Sequence, residues 1–91
     1  MSEIDILLSQ LDDAVIALDL EIGRIAGRRE KIKPFELTDS FNDTDKKISE
    51  LRVQLEFLDL HAEQRGRYLK IKQHYKAITR RIGDSNLSYA R

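Results

Sequence analysis

Seven basic residues and no acid fall within RGRYLKIKQHYKAITRRIG, residues 65–83, and two tyrosines lie among them. Arg65, Arg67, Lys70, Lys72, Lys76, Arg80 and Arg81 could contact phosphates, while Tyr68 and Tyr75 could stack on unpaired bases. Together these are the ingredients of nucleic-acid binding without sequence readout. The histidines offer less. His61 and His74 are thirteen apart, not at the i, i+4 spacing that sets two imidazoles on one helix face around a metal, and no cysteine joins them. Neither a glycine-rich phosphate loop nor a nucleophile elbow is present. No catalytic residue, cofactor site or metal site is therefore expected, and the chain reads as non-enzymatic.

The stretch LDDAVIALDLEIGRIAGRREKI, residues 11–32, resembles the first helix of the all-helical chorismate mutases. The resemblance implies an arginine that holds a substrate carboxylate, but the nearest position here is Asp12, which would repel one. In place of the acid-and-arginine cluster that opens the next helix in that family, this chain has Asp43, Lys46 and Lys47. Binding a dianion needs converging cations, so the activity is not carried over.

The totals fit a helical chain. Charged residues make up 35% and apolar ones 41% of 91 residues, with four Gly and one Pro, a balance typical of long helices rather than sheets. Sixteen acids offset sixteen bases, so no overall charge draws the molecule to DNA or to a membrane. The absence of cysteine removes disulfides and permits a reducing compartment. The N-terminus lacks a basic region followed by an apolar run, and the longest apolar run, Ala14 to Leu18, is too short to span a bilayer. A soluble, cytoplasmic chain is expected, with no membrane contact.

Two elements must position these residues. Ser2-Glu3-Ile4-Asp5 fits a capping box, and Ile4, Leu8, Leu11, Val15, Leu18, Ile22, Ile25 and Ile32 follow in steps of four and three, interrupted only at Arg29. That is a coiled-coil seam, predicting a helix over about 3–33 that Pro34 ends. PFELTDSFN, residues 34–42, reads as a loop whose Phe35, Leu37 and Phe41 cover the end of the core. A second helix is predicted over about 43–82, opened by Asn42 or Asp43 and closed by Gly83, with a tail over 84–91. Gly66 falls inside it, and costs about 1 kcal/mol against alanine, so a bend or break is expected there.

The second helix carries two apolar stripes. Ile48, Leu51, Leu55, Leu58, Ala62 and Leu69 form one; Val53, Phe57, Leu60, Tyr68, Ile71, Tyr75, Ile78 and Ile82 form the other, with Gln64 between. At about 100° per residue they point to nearly opposite sides. Folded back antiparallel on the first helix, opposed residues have numbers adding to about 77, which sets Leu69 on Leu8, Leu58 on Leu18 and Leu51 on Ile25. The same register places Lys72 beside Asp5 and Arg65 beside Asp12, so part of the basic run neutralises the acidic flank Asp5, Asp12, Asp19. Lys76, Arg80 and Arg81 project further and remain for nucleic acid or an acidic partner.

The expected architecture is thus all-α, a single helical-hairpin domain over 1–83 with the second stripe facing outwards. Burying that stripe is worth on the order of 10 kcal/mol, and exposing it would leave a larger apolar patch than monomers normally carry. Ile16, Leu20, Gly23 and Gly27 add a shorter face on the first helix. These residues predict association: a homodimer forming a four-helix bundle, or docking on another protein as an adaptor, chaperone or inhibitor.

Overall fold

The computed structural model describes residues 2–82, and the expected Gly83 cap and the tail over 84–91 lie outside them. The fold is all-helical, but it has three helices where the pattern predicts two: α1 (Glu3–Ala26), α2 (Asp39–Glu56) and α3 (Ala62–Thr79), with a short 3-10 turn at Pro34–Glu36.

Helix α1 starts as expected, with the Ser2 hydroxyl accepting the Asp5 amide at 3.2 Å. Its end differs. Gly27, at φ 59°, turns the chain out of the helix well before Pro34, using a conformation that side-chain-bearing residues disfavour. Arg29 then folds back, its Nε donating to the Ala26 carbonyl at 3.2 Å and Nη2 to the Ile25 carbonyl at 2.9 Å. These are acceptors that a helix end leaves unsatisfied. The residue that interrupts the seam is therefore the helix cap. Ile32 still reaches the core, from the connection rather than from the helix.

Helix α2 starts earlier than predicted because Thr38, not Asn42 or Asp43, caps it: its hydroxyl accepts the Phe41 amide at 3.0 Å and donates to Glu21 at 3.0 Å. Phe41 is buried from the first turn of α2 and Leu37 packs on the core edge. Phe35 does not cover the core; it stands 83% exposed.

The long second helix is broken at Phe57–His61, not at Gly66, which sits within an uninterrupted α3. The Phe57 amide tightens to the Gln54 carbonyl at 3.3 Å and the Leu58 amide to that of Leu55 at 3.1 Å, closing α2. Four residues on, His61 Nδ1 accepts the Gln64 amide at 3.5 Å while Gln64 Oε1 accepts the His61 amide at 3.2 Å. This reciprocal cap starts a new helix. Leu60, just before it, is buried.

The break reverses the chain a second time. Asp5 meets Gln64, Asp19 meets His74, and Ile32 bridges Ile82 in parallel sense. Residue numbers rise together in these pairs, so α3 runs parallel to α1. Tyr68 meets Glu56 and Tyr75 meets Asp45, so α3 is antiparallel to α2. The molecule is an up-down-up three-helix bundle. The hairpin register with sums near 77 does not occur, and neither do its pairs: Arg65 donates to the Leu60 carbonyl at 2.9 Å and Lys72 lies over the Tyr68 ring, 5.2 Å from its centroid.

The core follows from this topology. α1 contributes Leu7, Leu8, Leu11, Ala14, Val15, Leu18, Ile22 and Ala26, α2 contributes Phe41, Ile48, Leu51 and Leu55, and α3 contributes Tyr68, Ile71 and Ile78. The two stripes are successive, not opposed. The first is buried as far as Leu55 and its later members Leu58, Ala62 and Leu69 face solvent; the second is exposed at Val53 and Phe57 and buried from Leu60 onwards. A change of apolar phase within one long pattern marks the point where a helix ends and another begins.

The hairpin and the bundle assign opposite fates to two neighbouring aliphatic residues. Ile78→Ala, at 3% exposure, should lose about 2–5 kcal/mol of unfolding free energy. Leu69→Ala, at 54% exposure, should lose about 1 kcal/mol or less. Denaturant unfolding of the two variants measures both.

Candidate functional site

The predicted interface divides on folding. Leu60, Tyr68, Ile71 and Ile78 are buried within the chain's own core, and Tyr75 and Ile82 pack half-buried against it. These six do not form an outward face, because α1 is covered by α3 as well as by α2. Exposed are Val53 and Phe57 on α2, and Ile16, Leu20, Gly23 and Gly27 on or beside α1. Phe57 is the most exposed large apolar side chain, at 86%, and Leu20 stands at 63%.

Val53 and Phe57 are one helical turn apart and share a face with Glu50 and Gln54. Ser49, Glu50, Val53 and Gln54 line a shallow groove on that face. Phe57 sits at the very end of α2, its backbone already tied to the turn that starts the break, and its ring is displayed at that corner.

On the other side of α2 the two antiparallel helices α2 and α3 are linked by tyrosines. The Tyr68 hydroxyl donates to Glu56 at 2.8 Å and the Tyr75 hydroxyl to Asp45 at 2.5 Å. Burial, more than the bond to Asp45, pushes the Tyr75 hydroxyl pKa up to about 12. The Tyr68 hydroxyl is raised for the same reason, and Arg52 partly opposes the rise. Arg52 lies between the two, its guanidinium 5.6 Å from the centroid of the Tyr75 ring. A cleft of about 510 Å³ opens here, lined by Arg52, Leu69, Lys72, Tyr75 and Lys76 among others.

The basic end of α3 serves the fold in part. Lys31 donates to the Arg80 carbonyl at 2.6 Å, the Ile32 amide to the Arg81 carbonyl at 2.7 Å, and the Arg81 guanidinium to the Arg29 carbonyl at 2.8 Å. Arg29 also pairs with Glu36 at 2.7 Å, which holds that carboxyl below its ordinary value. Of the three cations expected to await a partner, Arg81 is committed to the chain, Arg80 is exposed, and Lys76 faces the cleft. The acidic flank does lie along the basic helix, but in the parallel sense: Gln64 donates to Asp5 at 3.4 Å and His74 meets Asp19 at 3.1 Å, while Asp12 shares a groove with Arg67 and Lys70. Bonds from the Ser2 hydroxyl and then from Gln64 hold the Asp5 carboxyl below its ordinary value.

Sequence reasoning passed over Arg52, Gln64, Asp45 and Glu56. Gln64 carried a signal, since it interrupts an apolar stripe three residues after His61, as a capping partner should. Arg52 carried none, because it is one charge among many on an amphipathic helix. Among the described residues, no helix is long and apolar enough to cross a membrane.

The tyrosine links imply an alkaline limit. Each hydroxyl holds its proton more tightly folded than unfolded, so the stability they contribute is complete below the ordinary tyrosine pKa of 10 and is lost as pH rises above it, for Tyr75 up to about 12. Titration should show tyrosinate absorbance from Tyr75 appearing together with loss of helix, and Tyr75→Phe should flatten the upper part of that transition.

Comparison of the chain with protein-family models, with curated proteins and with solved structures gave no match in any of the three.

Proposed function

We propose that this chain is a non-enzymatic protein-interaction module that docks an apolar segment of a partner on the Val53–Phe57 ridge of α2. One observation carries the reading: Phe57 is 86% exposed at the C-cap of α2, its amide bonded back to the last turn, with Val53 exposed one turn before it. A large aromatic ring so placed costs little rotamer entropy to bury, and rings of this kind dominate protein contacts. Glu50 and Asp59 are exposed beside the ridge, so the complementary partner is an apolar segment flanked by basic residues.

The groups that could do chemistry support binding over catalysis, because they are engaged in the fold. His61 caps α3, His74 faces Asp19, and the buried Tyr68 and half-buried Tyr75 are bonded to carboxylates. The homodimeric four-helix bundle loses its main motive, since Tyr68, Ile71 and Ile78 are covered within one chain. Nucleic-acid binding through Lys76, Arg80 and Arg81 is the weaker alternative, as the Arg81 guanidinium closes the α1–α2 connection.

A photo-crosslinking residue at position 57 should capture one discrete partner, and the same residue at position 40, in the first turn of α2, should not. Phe57→Asp and Val53→Asp should leave helix content and melting within about 0.5 kcal/mol of the parent. They should also weaken the captured complex at least tenfold, since burying one such side chain is worth about 1.5–3 kcal/mol. Unchanged affinity in both variants overturns the reading. A mass that halves on Phe57→Asp would identify the partner as a second copy of the chain.

A further inference from the structure

Charged side chains in small helical bundles are normally neutralised by a neighbour or spread into water. The cleft between α2 and α3 departs from that pattern. Its lining includes three cations, Arg52, Lys72 and Lys76, and no acid. Asp45 and Glu56, on the same helix as Arg52, each accept a tyrosine hydroxyl, at 2.5 Å and 2.8 Å, and neither lines the cleft. Arg52 and Lys72 rest instead on aromatic faces, 5.6 Å and 5.2 Å from the ring centroids of Tyr75 and Tyr68. A cation–π contact orients a cation without neutralising it. The Arg52 Nε is shielded from solvent and has no hydrogen-bond partner among the described residues, an arrangement that costs free energy unless something nearby compensates the charge.

We propose that this cleft is a binding site for a multivalent oxyanion, specifically a small molecule that bears a diphosphate. The Arg52 fork suits two oxygens of one phosphate, and the Lys72 and Lys76 ammonium groups supply adaptable point charges for the second. Three converging positive charges match a ligand of two to three negative ones. The volume, about 510 Å³, lies within the range of small-molecule sites, about 300–1,000 Å³. Leu69 at the lip offers apolar contact to the organic part, and Gln73 supplies a neutral donor. The ring faces are occupied by cations, so base stacking does not contribute, and the site favours a compact phosphate ligand over a single-stranded nucleic acid. This inference stands apart from the Val53–Phe57 ridge, which occupies a different face of α2.

The experiment is calorimetric titration of the full chain with pyrophosphate and with a nucleoside diphosphate, against chloride at matched ionic strength. Saturable binding of one equivalent is expected for both. Arg52→Gln, and separately the pair Lys72→Gln with Lys76→Gln, should each weaken it at least tenfold. Lys47→Gln, which lies in the α1–α2 groove, and Phe57→Asp should leave it unchanged. Should Arg52→Gln disturb folding, the lysine pair carries the test alone. Heat that merely follows ionic strength overturns the proposal, as does affinity indifferent to the lysine pair. An oligonucleotide that binds more tightly than pyrophosphate and loses several decades of affinity with salt would assign the cleft to nucleic acid instead.

Discussion

Helix α1 is apolar over an arc too wide for a single neighbour to cover. A coiled-coil seam needs only alternating positions, yet Leu7 and Ala14 are buried on α1 beside Leu8, Leu11, Val15, Leu18 and Ile22. One flank, near Ala14 and Ala17, meets Thr44 and Lys47 of α2; the other, along Asp5, Asp12 and Asp19, meets α3. Covering both flanks takes two helices on one side of the rod. The second half of the chain can supply them only by reversing direction, and the turn at Phe57–His61 follows from that demand. It also decides what is left for a partner. Tyr68, Ile71 and Ile78 go inward, and the large exposed apolar side chains left include Phe57 and Val53 at the end of α2, Leu20 and Ile16 on α1, Phe35 in the connection and Leu69 on α3.

The connections are held by polar groups whose roles are paired across long separations. Arg29 closes α1, pairs with Glu36 beside the 3-10 turn, and presents its own carbonyl to Arg81. Lys31 and Ile32 bond the last carbonyls described after α3. The α1–α2 connection thus docks on the end of α3, though α3 is remote in sequence. At the opposite end, Gln64 both caps α3 and reaches Asp5 at the start of α1. Each end of the bundle is therefore fastened by a residue doing two tasks. A buried amide so placed tolerates little change, since removing it would orphan several partners at once.

The helical class, the start of α1, the seam and the burial of Ile48, Leu51 and Leu55 were all legible, because they rest on periodicity and on a serine in a capping position. The break was not. No glycine or proline marks residues 57–61, and histidine is an uncommon cap, so local chemistry was silent where the phase of the apolar pattern was informative. Two stripes on opposite sides of one helix and two helices in succession produce the same list of residues. Only the length of each stripe, with Leu69 and Val53 as stragglers, separates them. Gly66 misled for the converse reason: a glycine weakens a helix by about 1 kcal/mol, which burial of Tyr68 and Ile71 in the core readily offsets. Of the interface residues, those on α1 and the pair Val53 and Phe57 remained exposed; the rest required knowledge of chain direction.

Parallel packing of α1 with α3 also organises the charge. Both C-terminal ends, with Arg24, Arg29, Lys76 and Arg81, meet at one end of the bundle, and both acidic N-termini, with Glu3, Asp5 and Glu63, at the other. Aligned helix dipoles repel side by side, and side chains of opposite sign at each terminus relieve that repulsion. A chain with no net charge is thereby polarised along its axis. The basic run of α3 then has two fates. Arg81 at its end meets the Arg29 carbonyl of the α1–α2 connection and is spent on the fold, while Arg80 stays exposed. Lys72, and Lys76 in the last turn, face α2 across the cleft, whose lining includes no acid. It is at this cleft, between helices joined by the two tyrosine hydroxyls, that a ligand of opposite sign fits the physics of the molecule.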